Sequence, residues 1–249
     1  MGVLAMALGA VANAQSFNFD APVTLSSTQG AGVWYTDRYA PSGFTSPVSF
    51  MGDNRLKQSI SSADGANNRP SSYVSSFYNT QGRSYDLNAN VTQMSIDLFV
   101  PSSWQTDGQR EAGFWGVARD NTNAISDYPI IEFSSNTDTD GSGPRFRGWN
   151  DADGWVSMGL PTGFAYDSWY TLNITLTGGN FVYSVGDATT SVSANGSTSI
   201  GSTILQGYNT TAGRDYDIYW DNFNAVPEPA SFAALGMGLL VLARRRKKA

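Results

Sequence analysis

The sequence predicts an all-β fold, an antiparallel β-sandwich, on three observations. Helix formers are scarce: the whole chain holds three Glu, and Lys57 is the one Lys before a basic run at the C-terminus. Turn residues and aromatics are abundant, with 26 Gly and 13% aromatic residues, a composition that favours strands joined by tight turns. Two segments alternate apolar and polar side chains with period two, and none sustains a helical period.

The first alternating segment is 91–100, where Met94, Ile96, Leu98 and Val100 interleave with Ser95, Asp97 and Phe99. The second is 169–176, where Tyr170, Leu172, Ile174 and Leu176 interleave with Thr171, Asn173 and Thr175. Both read as half-buried strands. The second runs through Thr177-Gly178-Gly179-Asn180 into Phe181, Tyr183 and Val185, a hairpin signature because tight hairpin turns need positive φ. Further strands are expected at 32–35, 72–78, 113–119, 129–134, 203–208 and 217–223. Many short strands separated by Gly, Asn, Asp and Ser turns fit a sandwich.

The two ends lie outside that domain. Residues 3–12 are apolar and small, and Ala12-Asn13-Ala14 before Gln15 fits a signal-peptide cleavage site, so 1–14 reads as an export signal. No Lys or Arg precedes the apolar run, as expected if the basic start has been lost by a start codon assigned too late. At the other end, Val226-Pro227-Glu228-Pro229 precedes the apolar run 230–243 and the cluster Arg244-Arg245-Arg246-Lys247-Lys248. As a helix that run spans roughly 21 Å, short of a hydrocarbon core of roughly 30 Å, and snorkelling basic side chains and bilayer thinning can make up the difference. The basic cluster orients the C-terminus to the cytoplasm. Three segments follow: a signal at 1–14, a β-sandwich at 15–225 and a tail at 226–249.

The tail resembles the PEP-CTERM sorting signal over 226–249, with its Pro-Glu-Pro, short membrane segment and Arg-rich end. The resemblance implies a Gram-negative, exopolysaccharide-producing cell. It also implies an exosortase, with the export machinery, that recognises Pro227, Glu228 and Pro229 and removes the tail after transient membrane anchoring.

Charge and composition exclude several functions. Residues 15–225 carry 10 basic and 20 acidic side chains, and such a domain repels nucleic acid and anionic lipid. There is no Cys and no His, which rules out Cys/His zinc sites, Ser-His-Asp triads and Cys-His dyads.

Asp167 to Ile174, the Phe-x-Tyr-x-Val hairpin after it, and Asp217-Ile218-Tyr219-Trp220-Asp221-Asn222-Phe223 resemble concanavalin A-like and laminin-G-like jelly rolls. The resemblance implies a jelly-roll-like sandwich whose closing strand returns beside the N-terminal Phe17-Asn18-Phe19-Asp20.

Three constellations could carry chemistry. Asn136-Thr137-Asp138-Thr139-Asp140-Gly141 matches the opening of a calcium loop, and Asn150-Asp151-Ala152-Asp153-Gly154 follows it. An EF-hand is excluded, since Arg147 takes the twelfth position. One structural Ca²⁺ on Asn136, Asp138, Asp140, Asp151 and Asp153 competes with two solvated turns. Trp149 and Trp155 flank the second turn, with Arg145 and Arg147 before it and Trp115 upstream; flat rings that pack on sugars beside polar side chains suit glycan binding, against the alternative that these Trp are core. Finally, Glu132 has no second carboxylate two or four residues away, and Glu111 could meet it only across strands. The sequence therefore favours a non-catalytic domain that binds or organises exopolysaccharide at the cell surface. A glycan-cleaving enzyme using Glu132 and Glu111, or a purely structural surface protein, is the alternative.

Overall fold

The computed structural model describes residues 14–64, 80–105, 109–135, 143–208 and 215–227. Among these residues the fold is all-β, with helical turns only at Ser62–Asp64 and Ser102–Gln105, both 3-10. The first five strands are β1 (Gln15–Phe17), β2 (Leu25–Ser26), β3 (Trp34–Asp37), β4 (Gly43–Phe50) and β5 (Asp53–Ile60). The middle of the chain supplies β6 (Thr80–Val100), β7 (Glu111–Arg119), β8 (Ile125–Asp127), β9 (Ile130–Ser134), β10 (Arg145–Asn150) and β11 (Gly154–Gly159). The last five are β12 (Ser168–Thr177), β13 (Asn180–Val185), β14 (Ala188–Ser193), β15 (Ser199–Tyr208) and β16 (Tyr216–Pro227). The expected strand at 72–78 lies outside the described residues.

These strands form an antiparallel jelly-roll sandwich of two layers, and β6 serves both. As far as Val91 it pairs with β15, and at Gly82–Ser84 with β3; from Gln93 onward it pairs with β12 and β16. Asn90, at φ 63°, sits in the bend between these halves. The first layer runs β2-β3-β6-β15-β7-β9-β10-β11, and the second β14-β13-β12-β6-β16-β5-β4. β1 pairs with β16 through Phe17 opposite Phe223, so the closing strand does return beside the N-terminus.

The core lies between the layers. Met94, Ile96, Leu98, Leu172, Ile174 and Phe181 of the second layer meet Phe114, Ile131, Phe133 and Phe146 of the first, all fully buried. Each such side chain contributes roughly 1.5–3 kcal/mol of transfer free energy. The β12–β13 turn is the two-residue kind expected: Thr177 pairs with Asn180, and Gly178 and Gly179 have φ of 57° and 77°. Phe99 departs from simple alternation. It faces outward yet is buried, because Phe50 and Trp169 pack on it with ring centroids 5.0 and 5.4 Å away.

Candidate active site

Side chains alternate across a sheet, so the residues between Phe114, Ile131, Phe133 and Phe146 point out of the sandwich from the first layer. Cross-strand pairing aligns them in rows. One row reads Tyr35, Ser84, Ile204, Trp115, Ile130, Trp149 and Trp155. The next reads Asp37, Gly82, Gln206, Gly113, Glu132 and Arg147, and beyond it stand Glu111, Ser134 and Arg145. An aromatic row thus runs beside a charged one, across the strands.

Arg147 organises the charged rows. Its Nη2 lies 2.8 Å from Glu111 Oε1 and 2.6 Å from Glu132 Oε1, and its Nε donates to Glu132 Oε1 at 2.7 Å. Glu111 and Glu132, 21 residues apart in sequence, therefore share one guanidinium. Their Oε1 atoms can be no further apart than the sum of those two contacts, so the two carboxyls are close neighbours. All three groups are buried, with Glu111 6%, Glu132 4% and Arg147 7% exposed. Gln109 Nε2 also donates to Glu111 Oε1 at 2.6 Å. Trp155 lies over Arg147, its ring centroid 4.0 Å from the guanidinium carbon.

A second charged group sits at the other end of the row. Asp37 pairs with Arg38 and accepts a hydrogen bond from Gln206 Nε2 at 2.5 Å, and Arg38 lies 4.8 Å over the Trp115 ring. Burial pushes the Asp37 carboxyl above its usual range, with Arg38 opposing. Glycines keep the floor low between the two groups. A Cβ on Gly113 would stand 2.5 Å from Trp115 Nε1, and one on Gly82 would stand 2.5 Å from the Gln206 amide. Tyr35, at the end of the aromatic row, donates to Asp86 at 2.7 Å, and burial pushes its hydroxyl up to about 12.

Sequence reasoning had singled out several of these residues. Trp149 is half-buried and Trp155 is 39% exposed, their rings 5.3 Å apart, whereas Trp115 is buried under Arg38. Arg145 donates to the Gly143 carbonyl at 3.0 Å and stands opposite Ser134. Asp151 and Asp153 are exposed at the tip of the β10–β11 hairpin; Asp151 accepts from Trp149 Nε1 at 3.3 Å, and the Asp153 amide is capped by Asn150. Among the described residues no group of three or more Asp and Glu could hold a metal ion. Asn136, Asp138 and Asp140 lie outside them. Pro227 ends β16, while Glu228 and Pro229 lie outside the described residues, and among those residues no helix is long and apolar enough to cross a membrane.

Sequence reasoning missed Asp37, Arg38, Gln206 and Asp127. Asp127 is fully buried and accepts hydrogen bonds from the Asp151 and Tyr128 amides and from Asn195 Nδ2, at 2.9, 2.7 and 2.5 Å. It thereby fixes the hairpin tip that carries Trp149 and Trp155, and burial raises its carboxyl. An isolated Asp before Tyr-Pro carries no local pattern that would have found it.

Residues 225–247 match the PEP-CTERM protein-sorting motif, which marks an exported, membrane-transiting protein handled by an exosortase. No curated protein matches the chain. Among solved structures it is similar to the catalytic domain of an endo-1,3-beta-glucanase (laminarinase) from Thermotoga petrophila, at 12% identity and a TM-score of 0.55, covering 88% of this chain and 100% of that one. The laminarinase catalytic domain of Thermotoga maritima gives 12% identity and a TM-score of 0.54, covering 86% and 97% of the two chains. A glycoside hydrolase family 16 endo-glucanase from Bacteroides ovatus gives 9% identity and a TM-score of 0.53, covering 85% and 99%. These likenesses show the fold. They also overturn the expectation of a non-catalytic domain, which rested on the lack of two carboxylates on one strand. The fold is one on which glycoside hydrolases are built, and here a pair is assembled across two strands.

Proposed function

We propose that the protein is an exported glycoside hydrolase acting on polysaccharide at the cell surface, with Glu111 and Glu132 as its carboxylate pair. The observation that carries this reading is the single guanidinium of Arg147 bridging both carboxylates, which holds the two side by side as two-carboxylate glycoside hydrolysis needs. One carboxyl would protonate the glycosidic oxygen while the other attacks the anomeric carbon; water then releases the glycosyl-enzyme, with the first group now acting as base. In this reading a sugar chain lies along the aromatic row, across the strands.

Arg147 must yield for this to work. A general acid has to carry a proton, and a guanidinium on both carboxylates favours the charged form of each. The incoming sugar therefore displaces Trp155 and Arg147 together, after which repulsion between the two carboxylates raises the affinity of one for a proton.

The rest of the reading concerns delivery. The signal at 1–14 directs export, 230–243 spans the membrane with the basic end in the cytoplasm, and the exosortase acts at Pro227-Glu228-Pro229. The three structural neighbours are named for glucan hydrolysis, so soluble β-1,3-glucan and the producing cell's own polysaccharide are the substrates to try. Reducing-end release by the full chain, lost in Glu111→Gln and in Glu132→Gln with melting curves intact, is the expected result. Release that survives Glu132→Gln, or no release from either polysaccharide, would end this assignment.

A further inference from the structure

The outer face of the second layer should be polar, and most of it is: Ser95, Asp97, Thr171 and Asn173 point outward. One corner departs from this. Phe50, at the tip of the β4–β5 hairpin, stacks on Tyr219 with ring centroids 3.8 Å apart and planes within 10°, and Phe99 and Trp169 continue the cluster. Beside it opens a cavity of about 400 Å³, the size of a small-molecule site. Its apolar walls include Phe50, Phe99 and Tyr219, and its polar side chains include Ser103, Arg110, Asp215 and Asp217.

We propose that this cavity is a second glycan site, separate from the Glu111–Glu132 face, that holds one sugar unit of a polysaccharide chain. Aromatic rings on one side match the apolar face of a pyranose, and hydroxyl and carboxylate groups on the other match its hydroxyls. The carboxylates are already fixed in place. Asp217 is held by Lys57 at 2.8 Å and by Ser59 at 2.7 Å, and Asp215 accepts from the Ser62 amide at 2.7 Å. Tyr216, which lines the same cavity, donates to the Glu111 carbonyl at 2.8 Å and so ties the cavity wall to the first residue of β7. A chain held here would be retained near the carboxylate face between encounters.

The test is affinity electrophoresis of the full chain in detergent, through gels containing soluble β-1,3-glucan or the producing cell's own polysaccharide, on a Glu132→Gln background that stops cleavage. Ser103 is exposed, so Ser103→Trp fills the cavity without removing a packed side chain. It should weaken retardation about tenfold with an unchanged melting curve, the size of effect expected of a binding hot spot. Tyr219→Ala should do the same and Tyr219→Phe should not. Undiminished retardation of Ser103→Trp, retardation lost only with Trp149→Ala, or none for the parent in either gel would each overturn the proposal. Hydrolysis is read separately by reducing-end release, so its failure is distinguishable from the failure of this site.

Discussion

Replacing Arg147 with Met keeps most of the side-chain volume but removes a charge that two buried carboxylates share. Breaking a buried ion pair by deleting one partner costs about 3–5 kcal/mol, because an uncompensated charge stays behind. Here both Glu111 and Glu132 lose that partner, at 6% and 4% exposure, so a cost within that range applies at neutral pH. For a domain of this size each kcal/mol moves the melting temperature by roughly 2–4 °C, so the variant should melt about 6–20 °C below the parent at pH 8. Acid should relieve the deficit. In the variant, two like charges close together disfavour both being ionised, so one carboxyl holds a proton more readily in the folded state than in the unfolded one. A raised folded value means stability that is present below the unfolded value and lost as pH rises through the folded one. The gap between parent and variant should therefore shrink by pH 4.5, and adding Glu111→Gln and Glu132→Gln should recover most of it. Melting followed by circular dichroism at the two pH values decides the matter. A gap equal at pH 4.5 and pH 8 would mean that Arg147 acts by packing under Trp155, and that the shared-charge argument is wrong.

A Cβ on Gly148 would stand 2.5 Å from Cδ2 of the fully buried Tyr183, whose hydroxyl bonds the Trp149 carbonyl, so Gly148→Ala should cost roughly 1–3 kcal/mol, and a melt within a degree of the parent would contradict this. Asp127 is raised by burial, so its contribution is largest below the usual Asp range and falls as pH rises; the deficit of Asp127→Asn against the parent should shrink between pH 4 and pH 8, and a pH-independent gap would refute it. Replacing Pro227, Glu228 and Pro229 with Ala should leave unprocessed protein in the membrane, whereas intact-mass measurement of surface material bearing Arg244 to Lys248 would sink the processing proposal. If the 136–154 segment takes calcium, a hundredfold excess over the dissociation constant should add about 2.7 kcal/mol, read as a melting temperature that rises with calcium and falls with chelator; a flat response, or one untouched by Asp138→Ala, returns the loop to an ordinary turn.

The fold was legible where one strand face meets solvent. Met94, Ile96 and Leu98 alternate cleanly with Ser95 and Asp97, and 169–176 does likewise, because the second layer presents a polar outer face. The Gly178-Gly179 turn was legible because two adjacent positive φ values call for glycine. The β4–β5 hairpin was not anticipated: Phe50-Met51-Gly52-Asp53 turns it, but Arg55-Leu56-Lys57-Gln58 reads as polar, since Gln58 is buried through hydrogen bonds to the Gln81 and Leu205 carbonyls. The β10–β11 hairpin was read as an acidic loop, because Asp151 and Asp153 at its tip outweighed the short strands on either side.

The carboxylate pair was hidden for a related reason, and the reason bears on the proposed site. An antiparallel layer with one wet face shows alternation, and a layer buried on both faces does not. Eight of the nine residues of β7, from Glu111 onward, are buried, as are all of β9 from Ile130 to Ser134, although only every second side chain faces the core. The remaining buried positions hold Glu111, Gly113, Trp115, Val117, Ile130, Glu132 and Ser134, which tile a second interior of charge pairs, glycine floors and apolar rings and chains. A domain this size needs one hydrophobic core to fold. Burying three ionised groups in a second interior costs more than it returns, since apolar side chains of like volume are commonly as stable or more so. The layer in which alternation fails is therefore the layer that gives up stability to position Glu111, Glu132 and Arg147, and positioned charge is what the proposed hydrolysis would require.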